Sequence, residues 1–170
     1  MTVFPGPQAA AWWQALQTDR GSLARLRRSL SVMHAASEPA TLTLCRRLGV
    51  GEAGLERAAL LAAVLAHVHE NRNNLSVARQ IGAAGGLSEL RFRQLLQADT
   101  PDEQILGFRR LVALAQRSLN VADLAAGIWH WNDDATRRHW ICAYYDAPDF
   151  AAEAVSPNAE PSYSTKDASA

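Results

Sequence analysis

Apolar residues recur at intervals of three and four along nearly the whole chain, and no stretch alternates strictly as a half-buried strand would. That spacing places them on one face of successive helices, separated by Gly, Ser, Asn and Pro signals. The first predicted helix covers about 8–17, after Pro5-Gly6-Pro7, and carries Trp12, Trp13 and Leu16. A second, about 22–33, follows a polar turn ending in Gly21, with Ser22 as its N-cap. A third, about 38–48, has Ser37 as cap, Pro39 in its first turn and Gly49 as its stop. The fourth, about 54–70, is apolar on almost every face and reads as the buried central helix. After the polar loop at 71–74, a shorter helix follows Ser76 and ends by Gly85-Gly86; another covers 87–98. Thr100-Pro101-Asp102-Glu103 is a capping box with Pro at the first helical position, opening a helix to about Leu119. Asn120 caps a helix over about 121–131, and Asp133 and Asp134 open the last, about 134–146. The pattern predicts an all-α, single-domain bundle of about eight or nine helices.

Composition sharpens this picture. The 170 residues are 48% apolar, enough for one domain with a core of its own. Beyond Pro148 the sequence is mostly Ala, Ser, Pro and acids. Such a segment has too little to bury, so a disordered tail at 149–170 is expected behind a helical domain at 1–148. Net charge is zero but unevenly spread. Residues 1–140 hold 16 arginines against 12 carboxylates, a net +4, while residues 141–170 hold five carboxylates and Lys166, a net −4. An acidic tail thus masks a basic domain and could compete with a polyanion for it. Cys45 and Cys142 form no CxxC pair, and residues 1–20 lack the basic end and apolar run of a leader. The longest apolar stretch, near 58–68, is too short to span a bilayer. Free thiols in a reducing cytoplasm, with no membrane partner, are the expectation.

Lys166 is the only lysine; every other basic side chain is arginine. A GC-rich genome favours Arg and Ala over Lys, so the bias alone leaves nucleic-acid binding open. Position says more. In the second helix Leu23, Leu26 and Leu30 form a stripe, with Arg25 and Arg28 opposite it and Arg27 on its flank. In the helix at 87–98, Phe92, Leu95 and Leu96 face the core and Arg91 and Arg93 take the two shoulders. In the helix after Thr100, Arg110 and Arg117 share an outer face and Arg109 sits at the core edge. Three helices therefore each offer an outward arginine pair, read as having no carboxylate one turn away. Unpaired like charge on one domain suits a polyanion. Arg72 and the Asn73-Asn74 loop join the same candidate surface. Arg137 and Arg138 differ: Asp133–Arg137 and Asp134–Arg138 are i,i+4 pairs, and Arg137 lines up with Trp140 and Tyr144, which favours a structural role.

Catalytic and metal-binding patterns are missing. His67 and His69 are two apart on the predicted helix and cannot chelate one ion as an i,i+4 pair would; they read as core or cleft histidines. No HExxH, GxxxxGK[ST] or GxSxG occurs, and the carboxylates are scattered. No enzyme, cofactor or metal is expected. The five tryptophans could stack bases, but at helical spacing beside Leu and Ile they read as core. In each of Trp12/Trp13 and Trp129/Trp131, one ring is expected to be partly exposed. The run 76–98 resembles a helix-turn-helix, but its glycine-rich connection looks too long and its arginines diverge.

Taken in order, several blocks resemble the CasB family, the small subunit of the type I-E CRISPR surveillance complex Cascade. They are Trp12-Trp13, GSLARLRR at 21–28, AAVLAHVHEN at 62–71, SELRFRQLL at 88–96, FRRL at 108–111 and NVADLAAGIWHWNDDATRRHWICAYY at 120–145. One arginine of the family's RFRRLL-like block is Gln94 here. The resemblance implies a non-catalytic helical subunit of an antiviral complex, present in two copies beside the crRNA-binding backbone. It implies stabilisation of the R-loop, chiefly by holding the displaced non-target single strand in a basic groove beside the crRNA–DNA hybrid. Sequence is then read by the guide, and the protein needs only backbone contacts. The candidate residues are Arg25, Arg27, Arg28, Arg72, Arg91, Arg93, Arg109, Arg110 and Arg117. The competing readings are a helix-turn-helix DNA-binding regulator and a helical protein-interaction scaffold without nucleic-acid binding.

Overall fold

The computed structural model describes residues 4–83 and 86–145; the expected tail at 149–170 lies outside them. Ten α-helices, a short 3-10 turn at Glu52–Gly54 and one two-residue parallel ladder make up the described fold. The helices are α1 Gly6–Leu16, α2 Arg20–Arg28, α3 Val32–Ala36, α4 Pro39–Leu48, α5 Leu55–Leu65, α6 Val77–Gly82, α7 Glu89–Leu96, α8 Pro101–Leu114, α9 Val121–Trp129 and α10 Asp134–Tyr144.

As its all-round apolar sequence demands, α5 is the axle. Every residue from Ala58 to Ala66 is fully buried, and α2, α3, α4, α8 and α9 pack around it. Asn120 and Thr100 cap α9 and α8 as expected, and both halves of the Thr100–Glu103 capping box are made. Gly49, at φ 68°, ends α4 in the left-handed conformation that favours glycine.

Five expectations are corrected. The N-cap of the second helix is Asp19, whose carboxylate accepts the Ser22 amide at 3.0 Å, and not Ser22. The predicted second helix is two, because Ser29 turns extended after Arg28 and Ser31 starts α3 by accepting from the His34 amide. Asp102 accepts the Val32 amide at 2.9 Å and fixes that restart. Leu30 falls in the break and is 82% exposed instead of continuing the Leu23–Leu26 stripe. Ser37 closes α3 rather than opening α4, whose N-cap is Glu38. The helix after Thr100 stops at Leu114, because Gln116 and Arg117 take left-handed φ values of 56° and 60°. The central helix stops at Leu65, and the freed segments pair as β1 Glu70–Asn71 with β2 Ser118–Leu119, in parallel.

The one-in, one-out expectation holds for Trp129, half-buried, and Trp131, fully buried, but fails for the first pair. Trp12 and Trp13 are both buried, because α1 is wedged between α4 and α9. The Trp12 indole donates to the Ala40 carbonyl and the Trp13 indole to that of Val68, so adjacent rings satisfy their N–H groups on opposite sides. Trp131 and Trp140 stand edge to face with Phe108 in the core beneath α8 and α10, while Trp129 is half-buried against Phe4. Gly127 makes room for Trp140, since a Cβ there would lie 2.5 Å from its ring. With four of the five rings buried, base stacking is not what these tryptophans do.

Candidate nucleic-acid interface

The structure divides the nine candidate arginines by what their nitrogens touch. Arg109 reaches into the junction of α2, α5 and α8. Its Nε donates to the Ala63 carbonyl, one terminal nitrogen to Ser29 at 2.6 Å and the other to Leu26 at 3.0 Å. Arg27 donates from Nε to the Ala66 carbonyl at 2.7 Å. The last carbonyls of α5 are thus met by two guanidinium groups from neighbouring helices. This is a C-terminal cap made in three dimensions, with positive charge at the negative end of the helix dipole.

Two further arginines are neutralised. Arg25 pairs with Glu38 at 2.9 Å and donates to the Ser22 hydroxyl. Arg93 pairs with Glu89 one turn before it on α7, so the expectation of no carboxylate a turn away fails there. Arg137 donates to the Trp131 carbonyl and pairs with Asp99, not with Asp133, which faces His130 instead. Its structural role holds through different partners.

The others form a band. Arg91 and Arg110 are exposed and, among the described residues, have no ion pair. They line a cleft of about 400 Å³ between α7 and α8, with Gln94, Leu87 and Leu106. The Glu103 carboxylate in that cleft is engaged by the Asp99 and Thr100 amides. Leu87 is shared with a second cleft of about 190 Å³, lined by Arg72, Gln80 and Gln116. Gln116 adjoins Arg117, whose terminal nitrogen lies 3.3 Å from His69 Nε2. Arg117 does not share a face with Arg110, since it lies past the end of α8. Arg27 stands close enough to Arg117 for each to repel the other's charge, and exposed Arg28 follows it on α2.

The β1–β2 ladder assembles this end of the band. The Arg117 carbonyl accepts the His69 and Glu70 amides, and the Leu119 carbonyl accepts that of Arg72. Two residues on each side leave no periodic trace in sequence, which is why His69 escaped the candidate set. Electrostatics mark the same place. Burial, then Arg109, Arg117 and Arg27, hold the His67 imidazole down to about 4, and its buried Nε2 has no partner. Burial, then Arg27 and Arg117, also lower His69.

Among the described residues, no group of three or more His, Cys, Asp or Glu side chains is placed to hold a metal, and no helix is long and apolar enough to cross a membrane. Six residues separate α6 from α7, too many for a helix-turn-helix connection, and the two helices pack on different partners, α10 and α8.

No curated protein matches the chain. A chain in a crystal structure of E. coli Cascade bound to a PAM-containing dsDNA target superposes with a TM-score of 0.66 at 23% identity. The match covers 82% of this chain and 97% of that one, and at such identity it speaks to the fold. The family model of CRISPR-associated protein Cse2 matches residues 22–145, from within α2 to just past the end of α10. On that match the chain belongs to the Cse2 family, also known as CasB.

Proposed function

We propose that the protein is the non-catalytic small subunit of a type I-E Cascade complex, working in the cytoplasm beside other Cascade subunits and a second copy of itself. It stabilises the R-loop by holding phosphates of the displaced strand. The observation that carries this reading is the pair of clefts that share Leu87 and are lined by Arg91, Arg110 and Arg72, with the Arg117, His69 and Arg27 cluster next to Gln116 of the second cleft. Arginines and amides share this surface with leucines, and its two carboxylates are engaged elsewhere, Glu103 by the Asp99 and Thr100 amides and Glu70 by the Ser118 hydroxyl. Such a band grips a backbone without reading bases, which suits a complex whose guide RNA reads the sequence.

Arg28, Arg72, Arg91 and Arg110 are the residues to replace, since among the described residues none of their side chains makes a tertiary hydrogen bond or ion pair. In the reconstituted complex, a fourfold alanine variant is expected to shorten R-loop lifetime by about tenfold or more. It should also reduce the salt dependence of single-strand binding by about 0.7 per lost phosphate contact. Unchanged lifetime and salt slope would remove the band from the function and favour a purely protein-binding scaffold.

A further inference from the structure

Within the band, the node of Arg27, His69 and Arg117 differs from the rest. Its three basic groups come from α2, from the chain before β1 and from the left-handed turn after α8. Arg27 keeps Nε on the Ala66 carbonyl, which aims its guanidinium and leaves the terminal nitrogens uncommitted. Arg117 meets His69 Nε2 at 3.3 Å. For that contact to be a hydrogen bond the imidazole must be neutral at Nε2 and accept from the arginine. The charged groups around His69 are few. Glu70 is its chain neighbour, with a carboxylate that accepts from the Ser118 hydroxyl. His67 lies two residues back and, with its proton affinity pushed down to about 4, stays neutral near pH 7. Arg109 stands beyond His67. Two arginines therefore face one imidazole without a carboxylate between them.

We infer that Arg27, His69 and Arg117 form a phosphate-binding site in which His69 takes up a proton as the anion enters and becomes the third donor. This rests on the nucleic-acid reading above and adds a specific site to it. The chemistry is a simple exchange. A phosphate oxygen replaces Nε2 as acceptor for Arg117, and Nε2 gains a proton from solvent and donates it to the same phosphate. One N–H bond forms as solvent gives up the proton, the new N–H donates a hydrogen bond to the phosphate, and no bond between heavy atoms changes. Without the anion, burial and the two arginines disfavour the imidazolium; with it, the added negative charge offsets them. The bound form then holds more protons than the unbound form, so affinity rises as pH falls through the titration of bound His69. Arginine contacts alone give no such dependence near neutrality, because guanidinium stays charged.

The test uses the full chain with labelled histidine, a 15-mer of thymidylate at low salt, and inorganic phosphate as a separate arm. On saturation with the oligonucleotide, the His69 titration midpoint is expected to rise by roughly one pH unit, and affinity to fall about three- to tenfold from pH 6 to pH 8. His69→Ala should erase that pH dependence. Arg117→Gly keeps the left-handed turn accessible, removes the cation, and should reduce the midpoint shift by half or more. A shift of equal size with inorganic phosphate at equal phosphate concentration assigns the node to free phosphate and overturns its link to the strand. If the oligonucleotide binds with a steep salt dependence but His69 does not move, the site is wrong and the band stands. If the oligonucleotide does not bind at either pH, both fall.

Discussion

At the junction of α2, α5 and α8, arginine nitrogens face main-chain oxygens: Arg109 alone meets the carbonyls of Leu26, Ser29 and Ala63. One residue on, Arg110 lines the open cleft between α7 and α8 and, among the described residues, pairs with no carboxylate. Two chain neighbours of identical chemistry thus serve opposite ends. One side chain closes the fold by satisfying carbonyls that helix ends leave over; the other keeps its donors for something outside. The lesson is that a count of arginines says little about a ligand until each guanidinium's partners are known. Here about half of the candidate set is occupied with holding the protein together.

The largest effect should come from pulling this contrast apart. Arg109→Ala removes a donor from three carbonyls and leaves two of them, Ser29 and Ala63, without a partner, since Leu26 keeps the Ser29 amide; it is expected to cost about 3 kcal/mol, lowering the thermal midpoint by roughly 10 °C. Arg110→Ala should stay within about 0.5 kcal/mol of the parent. Calorimetry on the two variants decides it, and equal stabilities would erase the distinction.

The next effect is one of pH. The His67 imidazole titrates in the fold at about 4, below its ordinary 6.5, so between those values the unfolded chain binds the proton and the folded chain does not. Stability is full above about pH 6.5 and declines as pH falls toward 4, by on the order of 2–3 kcal/mol. Urea titrations should show this acid limb flattened in His67→Asn, while His69→Ala retains most of it. An unchanged limb in His67→Asn would mean that burial and the nearby arginines do not hold that ring below its ordinary value.

A smaller contrast lies on α2. Arg25→Ala leaves the nearly buried Glu38 without its partner and should cost about 1 kcal/mol, moderated because Arg25 itself is half exposed. Its effect on oligonucleotide binding should be slight. Arg28→Ala should do the reverse, with stability unchanged and a shallower salt slope. If both variants weaken binding equally, the ion pair does not divert Arg25 from the surface.

Much of the bundle was legible in the sequence, because helices announce themselves by period and by caps. The buried course of α5, the Thr100 box, the Asn120 cap and the Gly49 stop needed only local rules. What escaped was made by tertiary partners. The break at Ser29 depends on Arg109 and Asp102, both more than 70 residues away, accepting or donating at its edges. The double burial of Trp12 and Trp13 depends on α1 having cores on two sides. The candidate surface was legible as a list of arginines but not as a sorting of them. The acceptors that occupy Arg27 and Arg109 are backbone oxygens, which every residue carries and no sequence marks. Only Glu89–Arg93 could have been read directly, as an ordinary i,i+4 pair.

Gln116 and Arg117 sit side by side at positive φ, where a residue with a Cβ is held at a disadvantage that glycine would not feel. The two positions therefore answer selection differently. Under pressure for heat resistance alone, both would drift toward glycine, each change gaining about 1 kcal/mol or less. Under pressure for grip on an anion, only the first can drift, because the second carries the charge. A lineage adapting to higher temperature would thus be expected to reveal, by which of these two residues it surrenders, whether it still needs what the turn holds out.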